Sequence, residues 1–421
     1  MEALYACFDE HVGICSDSRS LESGQIFFAL KGARFDGHTF AAEALKQGAS
    51  AVVIEDTVPG LSEADPRVFR VPSVIQALQD LARHHRRHWG KPIIALTGSN
   101  GKTTVKELFA SVLSQHFCVH ATKGNLNNHL GVPFTLLQLQ HEHDLAVVEM
   151  GANHQREIDA LCRMAEPTLG YITNFGRAHL EGFGGVEGVI RGKTEMYRYL
   201  LEVGGERLIN PDDALQVQHA GDQAIPFLAD LHTWMEADGF VHIQRGASQV
   251  KSHLSGAFQG TNLRAAWSLG AHLGVSSEAI CAGIAAYVPS NNRGEIRTTE
   301  KNIVFLDAYN ANPSSMEVSF RHALASHPDR VHYYMAGDLF EMGEYTAEEH
   351  QRMVNLFVEQ GAVHVWLIGE AFQATQHPEH YRSFAQTAEA LRALQAEDVS
   401  GAFVWIKGSR GMALEQLLPA L

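Results

Sequence analysis

The sequence of 421 residues has few cysteines, no long apolar run and a shortage of basic side chains. Its five cysteines include no Cys-x-x-Cys pair, which argues against a disulfide framework and against a thiolate zinc site. No stretch of about 18 apolar residues occurs, so no membrane-spanning helix and no stable membrane insertion are predicted. Residues 1–17 lack the basic and then apolar pattern of an export signal. We therefore expect a cytoplasmic protein.

The balance of charge is acidic, with 33 lysines and arginines against 48 aspartates and glutamates. A nucleic-acid backbone requires a basic face that this balance does not supply, so no nucleic acid is expected as a partner. An anionic substrate must instead be held by locally placed cations and backbone amides. Most of the 24 histidines lie in polar runs such as 84–88, and we expect those to be solvated.

Short apolar runs alternate with helical patterns along most of the chain, which predicts an α/β fold with mostly parallel sheets. We predict three domains: a small α/β domain over 1–82, a central α/β domain with a mostly parallel sheet over 83–292 and a Rossmann-like α/β domain over 293–421. A helical pattern at 72–89 would connect the first two. Short alternating pieces at 224–255 predict a small antiparallel appendage on the central domain.

The most informative local string is Thr97-Gly98-Ser99-Asn100-Gly101-Lys102-Thr103-Thr104. It follows a strand predicted at 93–96 and precedes a helical pattern. Such a loop binds anions, because unpaired backbone N–H groups and the helix dipole point at the phosphates. Lys102 would reach the β- and γ-phosphates, and Thr103 would offer its hydroxyl to Mg²⁺. The string departs from the common G-x-x-x-x-G-K-[ST] pattern, because Leu96 stands at the first glycine position and Gly98 is the first glycine instead.

Polar residues also follow other predicted strands, where open α/β sheets bind their ligands. Glu149 follows the apolar run 145–148 and would bind Mg²⁺, which prefers a few hard oxygens; a surface or helix-capping acid is the alternative. His179 follows the strand predicted at 169–172 and would lie nearby, although a lone histidine is usually structural. Two roles are equally consistent with Asn125, Asn127 and Asn128: contact with a polar substrate, or formation of a simple turn.

Taken in chain order, these strings resemble the Mur ligase family over nearly the whole chain. The N-terminal strings are Ser16-Asp17-Ser18-Arg19 and the run at 28–38. The central strings are the phosphate loop and the runs at 124–128, 149–154 and 178–184. The C-terminal strings lie at 307–316, 337–343 and 407–412. The sharpest discriminator is Tyr309-Asn310-Ala311-Asn312-Pro313, because the sister ligase that adds the third peptide residue carries an Asp-Asn-Pro-Arg signature absent here.

The resemblance implies an ATP-dependent ligase that adds D-alanyl-D-alanine to UDP-N-acetylmuramoyl-tripeptide through an acyl phosphate, in peptidoglycan precursor synthesis. It implies that the central domain is an ATPase-like phosphate-loop domain with ATP and two Mg²⁺ ions as cofactors, and we expect a monomer. The third residue of the tripeptide stays open between diaminopimelate and lysine. Two alternatives are an amino-acid ligase of the folylpolyglutamate type and a noncatalytic phosphate-loop switch. The N-terminal strings and the 309–313 string weigh against the first.

Motifs and resemblance together give a set of site residues. The catalytic residues are Lys102, Lys193, His179 and Glu149. The Mg²⁺ ligands are Thr103, Glu149, His179 and Lys193 as a carbamate. The ATP contacts are Gly98, Ser99, Asn100, Gly101, Lys102, Thr103, Thr104, Asn262, Arg293 and Asp307. The substrate contacts are Ser18, Lys31, Arg34, Asp36, Asn125, Asn127, Asn128, Asn153, His154, Tyr309, Asn310, Asn312, Ser315, Asp338, Lys407 and Arg410. Among these, Lys31, Arg34 and Asp36 would hold the UDP-sugar.

Lys193 owes its role to the resemblance alone, since it matches the lysine that family members carry as a carbamate. Without that resemblance it would be a solvated helix lysine. CO₂ adds only to a neutral amine, so burial or nearby cations must lower the lysine pKa. The family's Gly-x-His-Asn-x-x-Asn stands here with Phe258 and Gln259 in place of the histidine and first asparagine, and Asn262 is retained. We also expect the C-terminal domain to close over the central one during turnover.

Overall fold

The structure is a computed structural model that describes residues 1–32, 35–62, 64–236, 238–290 and 292–421. In these ranges the chain forms three α/β units, each with its own main sheet. The predicted fold class, α/β with mostly parallel sheets, is confirmed. Among the helices of these ranges, none combines the length and the apolar character needed to span a bilayer.

The N-terminal unit carries a small parallel sheet. Its elements are α1 (Glu2–Tyr5), β1 (Ile14–Cys15), β2 (Ile26–Phe28), β3 (Lys31–Gly32), β4 (Phe35–Asp36), α2 (His38–Lys46), β5 (Ala51–Ile54), β6 (Val68–Arg70) and α3 (Val74–Trp89). The main sheet has the order β1-β2-β5-β6, while β3 and β4 form a separate antiparallel pair. Buried apolar strands such as β2 and β5 form its core.

Helix α3 connects the N-terminal and central units, as the helical pattern at 72–89 predicted. The Ser73 side chain caps its start by accepting a hydrogen bond from the Gln76 N–H (3.2 Å), and Gly90 ends it with φ of 70°. The helix runs without a break across residue 82, where the first domain boundary was predicted. That boundary and the one at residue 292 stay predictions.

The central unit contains a six-stranded, fully parallel sheet in the order β12-β11-β10-β7-β9-β8. Its elements are β7 (Ile93–Thr97), α4 (Lys102–Leu113), β8 (Val119–Ala121), α5 (Gly131–Leu136), β9 (Leu145–Glu149), α6 (Glu157–Ala165), β10 (Leu169–Ile172), α7 (Leu180–Phe183), α8 (Val186–Lys193), α9 (Glu195–Val203), β11 (Glu206–Ile209), α10 (Ala214–Ala220) and β12 (Ile225–Pro226). Strand β7 lies between β9 and β10, so the loops after these three strands meet at one sheet edge.

An antiparallel appendage follows, as predicted from the pattern at 224–255. It consists of β13 (His232–Met235), β14 (Phe240–Arg245) and β15 (Ser248–Ser255). Two further helices complete this region and pack on α4: α11 (Gln259–His272) and α12 (Ser277–Ala286).

The C-terminal unit is built on a mixed six-stranded sheet. Its elements are β16 (Glu295–Thr298), β17 (Ile303–Asp307), α13 (Pro313–Ala325), β18 (Val331–Gly337), α14 (Thr346–Glu359), β19 (His364–Ile368), α15 (Glu370–Gln373), β20 (Arg382–Phe384), α16 (Thr387–Gln395) and β21 (Ala402–Lys407). The sheet order is β16-β17-β21-β18-β19-β20, and only the pairing of β16 with β17 is antiparallel within the described part. Short 3-10 helices lie at Ser18–Ser20, Gly343–Tyr345, Arg410–Met412 and Leu414–Ala420.

Candidate active site

A cavity of about 1160 Å³ lies between the central and C-terminal units. Its walls come from the phosphate loop, from the loops after β9 and β10, and from the loop after β17. Most of the predicted site residues line it: Ser99, Asn100, Gly101, Lys102, Thr103, Thr104, Asn125, Asn127, Asn128, Glu149, Asn153, His154, His179, Asn262, Arg293, Asp307, Tyr309, Asn310, Asn312, Ser315 and Lys407. The fold therefore brings together residues that are far apart in sequence.

The unusual spacing of the phosphate loop follows from the length of β7. Leu96 is fully buried within this strand, which continues through Thr97, so the loop begins only at Gly98. Gly98 has φ of 145°, and a Cβ there would lie 1.9 Å from Thr173 Oγ1. Gly101 has φ of 78° and stands directly before α4. Both positions therefore require glycine.

Asn100 is held by residues that follow β10. Its N–H donates to Asn174 Oδ1 (3.0 Å), and its carbonyl oxygen accepts from Thr173 Oγ1 (2.6 Å) and Asn174 Nδ2 (3.0 Å). Ser99 Oγ donates to the Gly176 carbonyl oxygen (2.9 Å). Sequence reasoning missed the role of Asn174; a polar residue close after a buried strand was the available signal.

Lys102 stays close to the loop from which it projects. Its Nζ donates to the Gly98 carbonyl oxygen (2.7 Å). Removal from water lowers the pKa of this ammonium group, the charge of Arg293 lowers it further, and Glu149 acts in the opposite direction. Anionic phosphates in the cavity would supply the compensating negative charge.

Glu149 lies 1% exposed at the end of β9. Its Oε2 accepts from Thr103 Oγ1 (2.9 Å), and its Oε1 accepts from Asn127 Nδ2 (2.8 Å). A hydroxyl and a carboxylate oxygen thus lie together beside the phosphate loop, a donor set that suits Mg²⁺. No group of three or more His, Cys, Asp or Glu side chains fit to hold a metal ion occurs in the described residues. A cation here would therefore share its coordination with phosphate and water oxygens.

His179 lies at the cavity in a left-handed backbone conformation, with φ of 53°. Its Nδ1 contacts the carboxylate of Glu341, which belongs to the C-terminal unit and has φ of 61°. The hydrogen bond with His179 is the main cause that lowers the pKa of the Glu341 carboxyl. This contact occupies Nδ1 and orients the imidazole ring.

Lys193 is buried at the end of α8, with 1% of its surface exposed, and does not line the cavity. The burial that the resemblance requires is therefore present, and the solvated lysine that local sequence alone would suggest is excluded. Its Nζ lies 3.4 Å from the Ala152 carbonyl oxygen and 5.2 Å from the centre of the Phe183 ring. Burial is the main cause that lowers the lysine pKa well below its usual value, and the charge of Lys102 adds to this effect.

Lys407 holds the loop that follows β17. The Lys407 Nζ donates to Asp307 Oδ2 (2.6 Å) and to the Asn310 carbonyl oxygen (3.2 Å). In the same loop, the Tyr309 ring contacts the Arg293 guanidinium, which lies 3.5 Å from the ring centre. Asp307 and Lys407 therefore fix the loop that carries Tyr309 and Asn310 into the cavity.

The substituted family motif also lies at the cavity. Gln259 Oε1 accepts a hydrogen bond from Asn262 Nδ2 (2.6 Å), so the two amides form a pair. A Cβ on Gly101 would lie 3.4 Å from Asn262 Oδ1, which places this pair beside the phosphate loop. Phe258 lines the cavity with 37% of its surface exposed.

Several polar contacts dock the C-terminal unit on the central one. Asn312 Nδ2 donates to Asn100 Oδ1 (2.6 Å), and the Arg177 N–H donates to Ser314 Oγ (2.9 Å). Other contacts are the ion pair of Arg177 with Glu349 (2.5 Å) and the hydrogen bond between Ser255 Oγ and His322 Nε2 (2.9 Å). Sequence reasoning missed Ser314, Glu341 and Glu349, because their partners are distant in the chain.

The remaining predicted substrate residues that the structure describes lie away from the cavity. Ser18, Lys31 and Asp36 belong to the N-terminal unit, where Lys31 pairs with Asp56; Arg34 lies outside the described residues. The Asp338 carboxylate accepts from the N–H groups of Ala371 (3.0 Å) and Phe372 (2.9 Å) at the start of α15. Arg410 pairs with Glu415 (2.8 Å). The substrate roles of these residues stay predictions.

The fold and the cavity define a class of protein: a multidomain phosphate-loop enzyme whose C-terminal α/β unit covers the loop. Three family models match the chain: "Mur ligase family, catalytic domain" over residues 10–86, "Mur ligase middle domain" over 96–270 and "Mur ligase, glutamate ligase domain" over 292–410. The UDP-N-acetylmuramoyl-tripeptide--D-alanyl-D-alanine ligase of Bacillus subtilis (strain 168) is 30% identical, with 97% of this chain and 93% of the relative covered. The chain therefore belongs to the Mur ligase family, as its sequence strings predicted.

Solved structures support the same assignment. MurF from Acinetobacter baumannii is similar with a TM-score of 0.86 at 32% identity, covering 96% of this chain and 92% of that chain. The MurF ligase from Thermotoga maritima in complex with ADP has a TM-score of 0.85 at 26% identity, covering 98% and 97%. The predicted three-domain fold of the family is thereby confirmed.

Proposed function

We propose that this chain is an ATP-dependent ligase that joins D-alanyl-D-alanine to UDP-N-acetylmuramoyl-tripeptide in peptidoglycan precursor synthesis. The observation that carries the proposal is a single cavity at which the phosphate loop, Glu149 and the 307–312 loop meet. The Bacillus subtilis relative bears the name of this activity, and the Thermotoga maritima structure contains ADP. ATP is accordingly the proposed nucleotide.

In the proposed reaction, the terminal carboxylate of the tripeptide attacks the γ-phosphate of ATP to form an acyl phosphate and ADP. The free amine of D-alanyl-D-alanine then attacks the acyl carbon and releases phosphate. Both partners of the first step are anionic, so their repulsion must be neutralised. Lys102 is the residue proposed to do this; its ammonium group lies at the phosphate loop and is partly withdrawn from water, which supports the role.

Mg²⁺, when bound, supplies further positive charge at the phosphates. The chain's oxygens fit such an ion, because Thr103 Oγ1 and Glu149 Oε2 lie 2.9 Å apart beside Lys102. Asn127 holds the other carboxylate oxygen and keeps the glutamate oriented. His179 is the third proposed ligand, and the contact of its Nδ1 with Glu341 leaves the second ring nitrogen for that role.

We also propose that Lys193 is carbamylated and serves a second Mg²⁺. Burial and the charge of Lys102 lower its pKa, which favours the neutral amine that CO₂ requires. Addition of CO₂ would convert this neutral amine, with loss of one proton, into an anionic oxygen ligand. Ala152, which contacts the Lys193 Nζ, itself lines the cavity, so the modified end would lie close to the cavity wall.

The other substrate groups are assigned to the outer units. Ser18, Lys31 and Asp36 would bind the UDP-sugar, and the 309–315 loop would bind the dipeptide or the nucleotide. The third peptide residue stays open between diaminopimelate and lysine. A monomer is the proposed working form, since the central and C-terminal units of one chain both line the cavity, and the proposed location is the cytoplasm, where ATP is available.

The decisive experiment measures phosphate release while each substrate is omitted in turn. We expect release only when ATP, Mg²⁺, UDP-N-acetylmuramoyl-tripeptide and D-alanyl-D-alanine are all present. Lys102→Ala should lower turnover by roughly 10²–10³, because a charge that stabilises the transition state is lost. Lys46→Ala, at an exposed helix position of the N-terminal unit, is the matched control.

Two outcomes would contradict the proposal. Phosphate release that does not depend on the dipeptide would favour a phosphate-loop switch, and release that depends on L-glutamate instead would favour a ligase of the folylpolyglutamate type. Near-normal turnover in Lys102→Ala would show that the phosphate loop does not have the assigned role.

A further inference from the structure

We propose that Asn312 is a positioning residue that transmits docking of the C-terminal unit to the phosphate loop through the side chain of Asn100. The two residues are 212 positions apart in the chain. The coupling would confine phosphoryl transfer to the enzyme in which the C-terminal unit is docked. This purpose rests on the proposed function. The coupling itself rests on contacts within the structure.

The orientation of the Asn312 amide is set by its own helix. Asn312 Oδ1 accepts from the Ser315 N–H (2.9 Å), and Ser315 Oγ accepts in turn from the Asn312 N–H (3.0 Å), which forms a capping box at the start of α13. Because the oxygen serves the cap, the NH₂ group points away from the helix. It donates to Asn100 Oδ1 at 2.6 Å, and Asn312 is only 9% exposed.

The side chain of Asn100 is well oriented to accept this hydrogen bond. Thr173 and Asn174 hold its backbone N–H and carbonyl oxygen, so its side chain is the part that reaches the C-terminal unit. Gly98 and Gly101 lie on either side with positive φ, and glycine leaves the backbone free to adopt other conformations. A hydrogen bond to Asn100 therefore restrains the segment that precedes Lys102.

A second contact from the same helical turn supports this arrangement. Ser314 Oγ accepts from the Arg177 N–H (2.9 Å), while the carbonyl of the preceding Gly176 accepts from Ser99 Oγ (2.9 Å). A Cβ on Gly176 would lie 2.9 Å from Asn100 Nδ2 and 3.2 Å from Ser314 Cβ. The first turn of α13, the phosphate loop and the loop after β10 thus meet closely at Gly176, where no larger side chain fits.

The competing role for Asn312 is direct contact with a substrate, because one N–H of its amide remains available. Asn312→Ser separates the two roles. A serine oxygen retains the helix cap, but the shorter side chain cannot reach Asn100. Asn355→Ser, at an exposed position of α14, is the matched control for the substitution itself.

We expect Asn312→Ser to lower kcat by about tenfold, in proportion to the loss of one buried hydrogen bond. The KM values for ATP and D-alanyl-D-alanine should change by less than about twofold, since uniform binding is not affected. In an Asn100→Ala background, Asn312→Ser should cause no further loss, because the receiving atom is already gone. A raised KM for the dipeptide, or a full loss that persists in this background, would overturn the proposal.

A measurement without substrates keeps the coupling testable if the proposed function fails. Hydrogen exchange of the amides at 98–102 in the substrate-free protein should accelerate roughly tenfold in Asn312→Ser and in Asn100→Ala alike, with no change in Asn355→Ser. Unchanged exchange in Asn312→Ser would overturn the coupling. Accelerated exchange without dipeptide-dependent phosphate release would retain the coupling and reject the function.

Discussion

At the scale of single residues, the buried amine of Lys193 has the most unusual environment. An uncharged amine can lie beside the Phe183 ring and the Ala152 carbonyl at little cost, whereas a protonated one loses its hydration there. Glu157 and Glu195 favour the charged form, but burial and Lys102 dominate. The same surroundings that lower the pKa would therefore favour the proposed addition of CO₂.

Carbamylation can be observed directly by ¹³C NMR. With ¹³C-bicarbonate, we expect a carbamate resonance that grows when Mg²⁺ and ATP are added, because metal binding captures the anionic product. Lys193→Met should abolish the resonance. Lys106→Met should leave it intact, since Lys106 is also buried but lies 3.6 Å from Glu107. A resonance that survives in Lys193→Met would refute the assignment to this lysine.

At the scale of elements, the junction of β7, the phosphate loop and α4 shows two separate demands on glycine. Gly98 combines a positive φ with a blocked Cβ position, 1.9 Å from Thr173 Oγ1. Gly90, at the end of α3, has a positive φ but no steric clash, since its Cβ would lie at an ordinary contact distance of 3.7 Å from the nearest atom, the Arg87 carbonyl oxygen. A comparison of the two positions therefore separates the cost of backbone strain from the cost of a steric clash.

Alanine substitutions at these glycines should therefore differ in size. Gly90→Ala should lower the free energy of unfolding by about 1 kcal/mol, the usual cost of a left-handed non-glycine residue. Gly98→Ala should cost more, by roughly 1–3 kcal/mol beyond that, because the loop must also move away from Thr173. It should weaken binding of a nucleotide analogue, which Gly90→Ala should not. Urea unfolding and calorimetric titration give the comparison, and equal effects would contradict the steric account.

At the scale of the whole molecule, docking of the C-terminal unit includes a buried histidine. His322 on α13 meets Ser255 at the end of the appendage. Burial lowers the His322 pKa to about 4, with a smaller contribution from His327, while Asp307 acts against it. His120, buried in the central unit, also has its pKa lowered to about 4, mainly by burial.

These histidines predict acid sensitivity. A histidine that is neutral in the folded state but protonates near 6.5 when unfolded stabilises the protein above about pH 6.5, and this stability is lost as the pH falls towards 4. Each is worth up to about 3 kcal/mol at ~1.36 kcal/mol per pKa unit. The fall in Tm between about pH 7 and about pH 5 should be smaller in His322→Gln. The exposed control, His253→Gln, should retain the full decrease.

The sequence predicted elements with strong local signals and much of the cavity wall. The apolar runs at 93–96, 145–148 and 169–172 became β7, β9 and β10, because buried parallel strands need continuous apolar residues. Polar residues directly after such strands, Glu149 among them, were found for the same reason. Their roles towards substrates and metals stay predictions.

Contacts between units could not be predicted in this way. Asn312 and Asn100, or Arg177 and Glu349, meet only after separate sheets have formed and docked, and neither member of a pair carries a local sign of its partner. Burial of Lys193 escaped local reasoning too, because a lysine at a helix end is usually solvated.

The unbroken helix α3 sets a fixed distance within the molecule. Its 16 residues span about 24 Å at ~1.5 Å per residue, and one apolar cluster runs from Phe28 through Leu81 to Ile93, so the N-terminal unit cannot swing freely. If the sugar is anchored in that unit, the distance from the sugar to the cavity is fixed. A stem peptide one residue shorter or longer would then hold its terminal carboxylate away from the reaction site. The enzyme would thus distinguish peptides by their length, without any side chain that recognises the missing or extra residue.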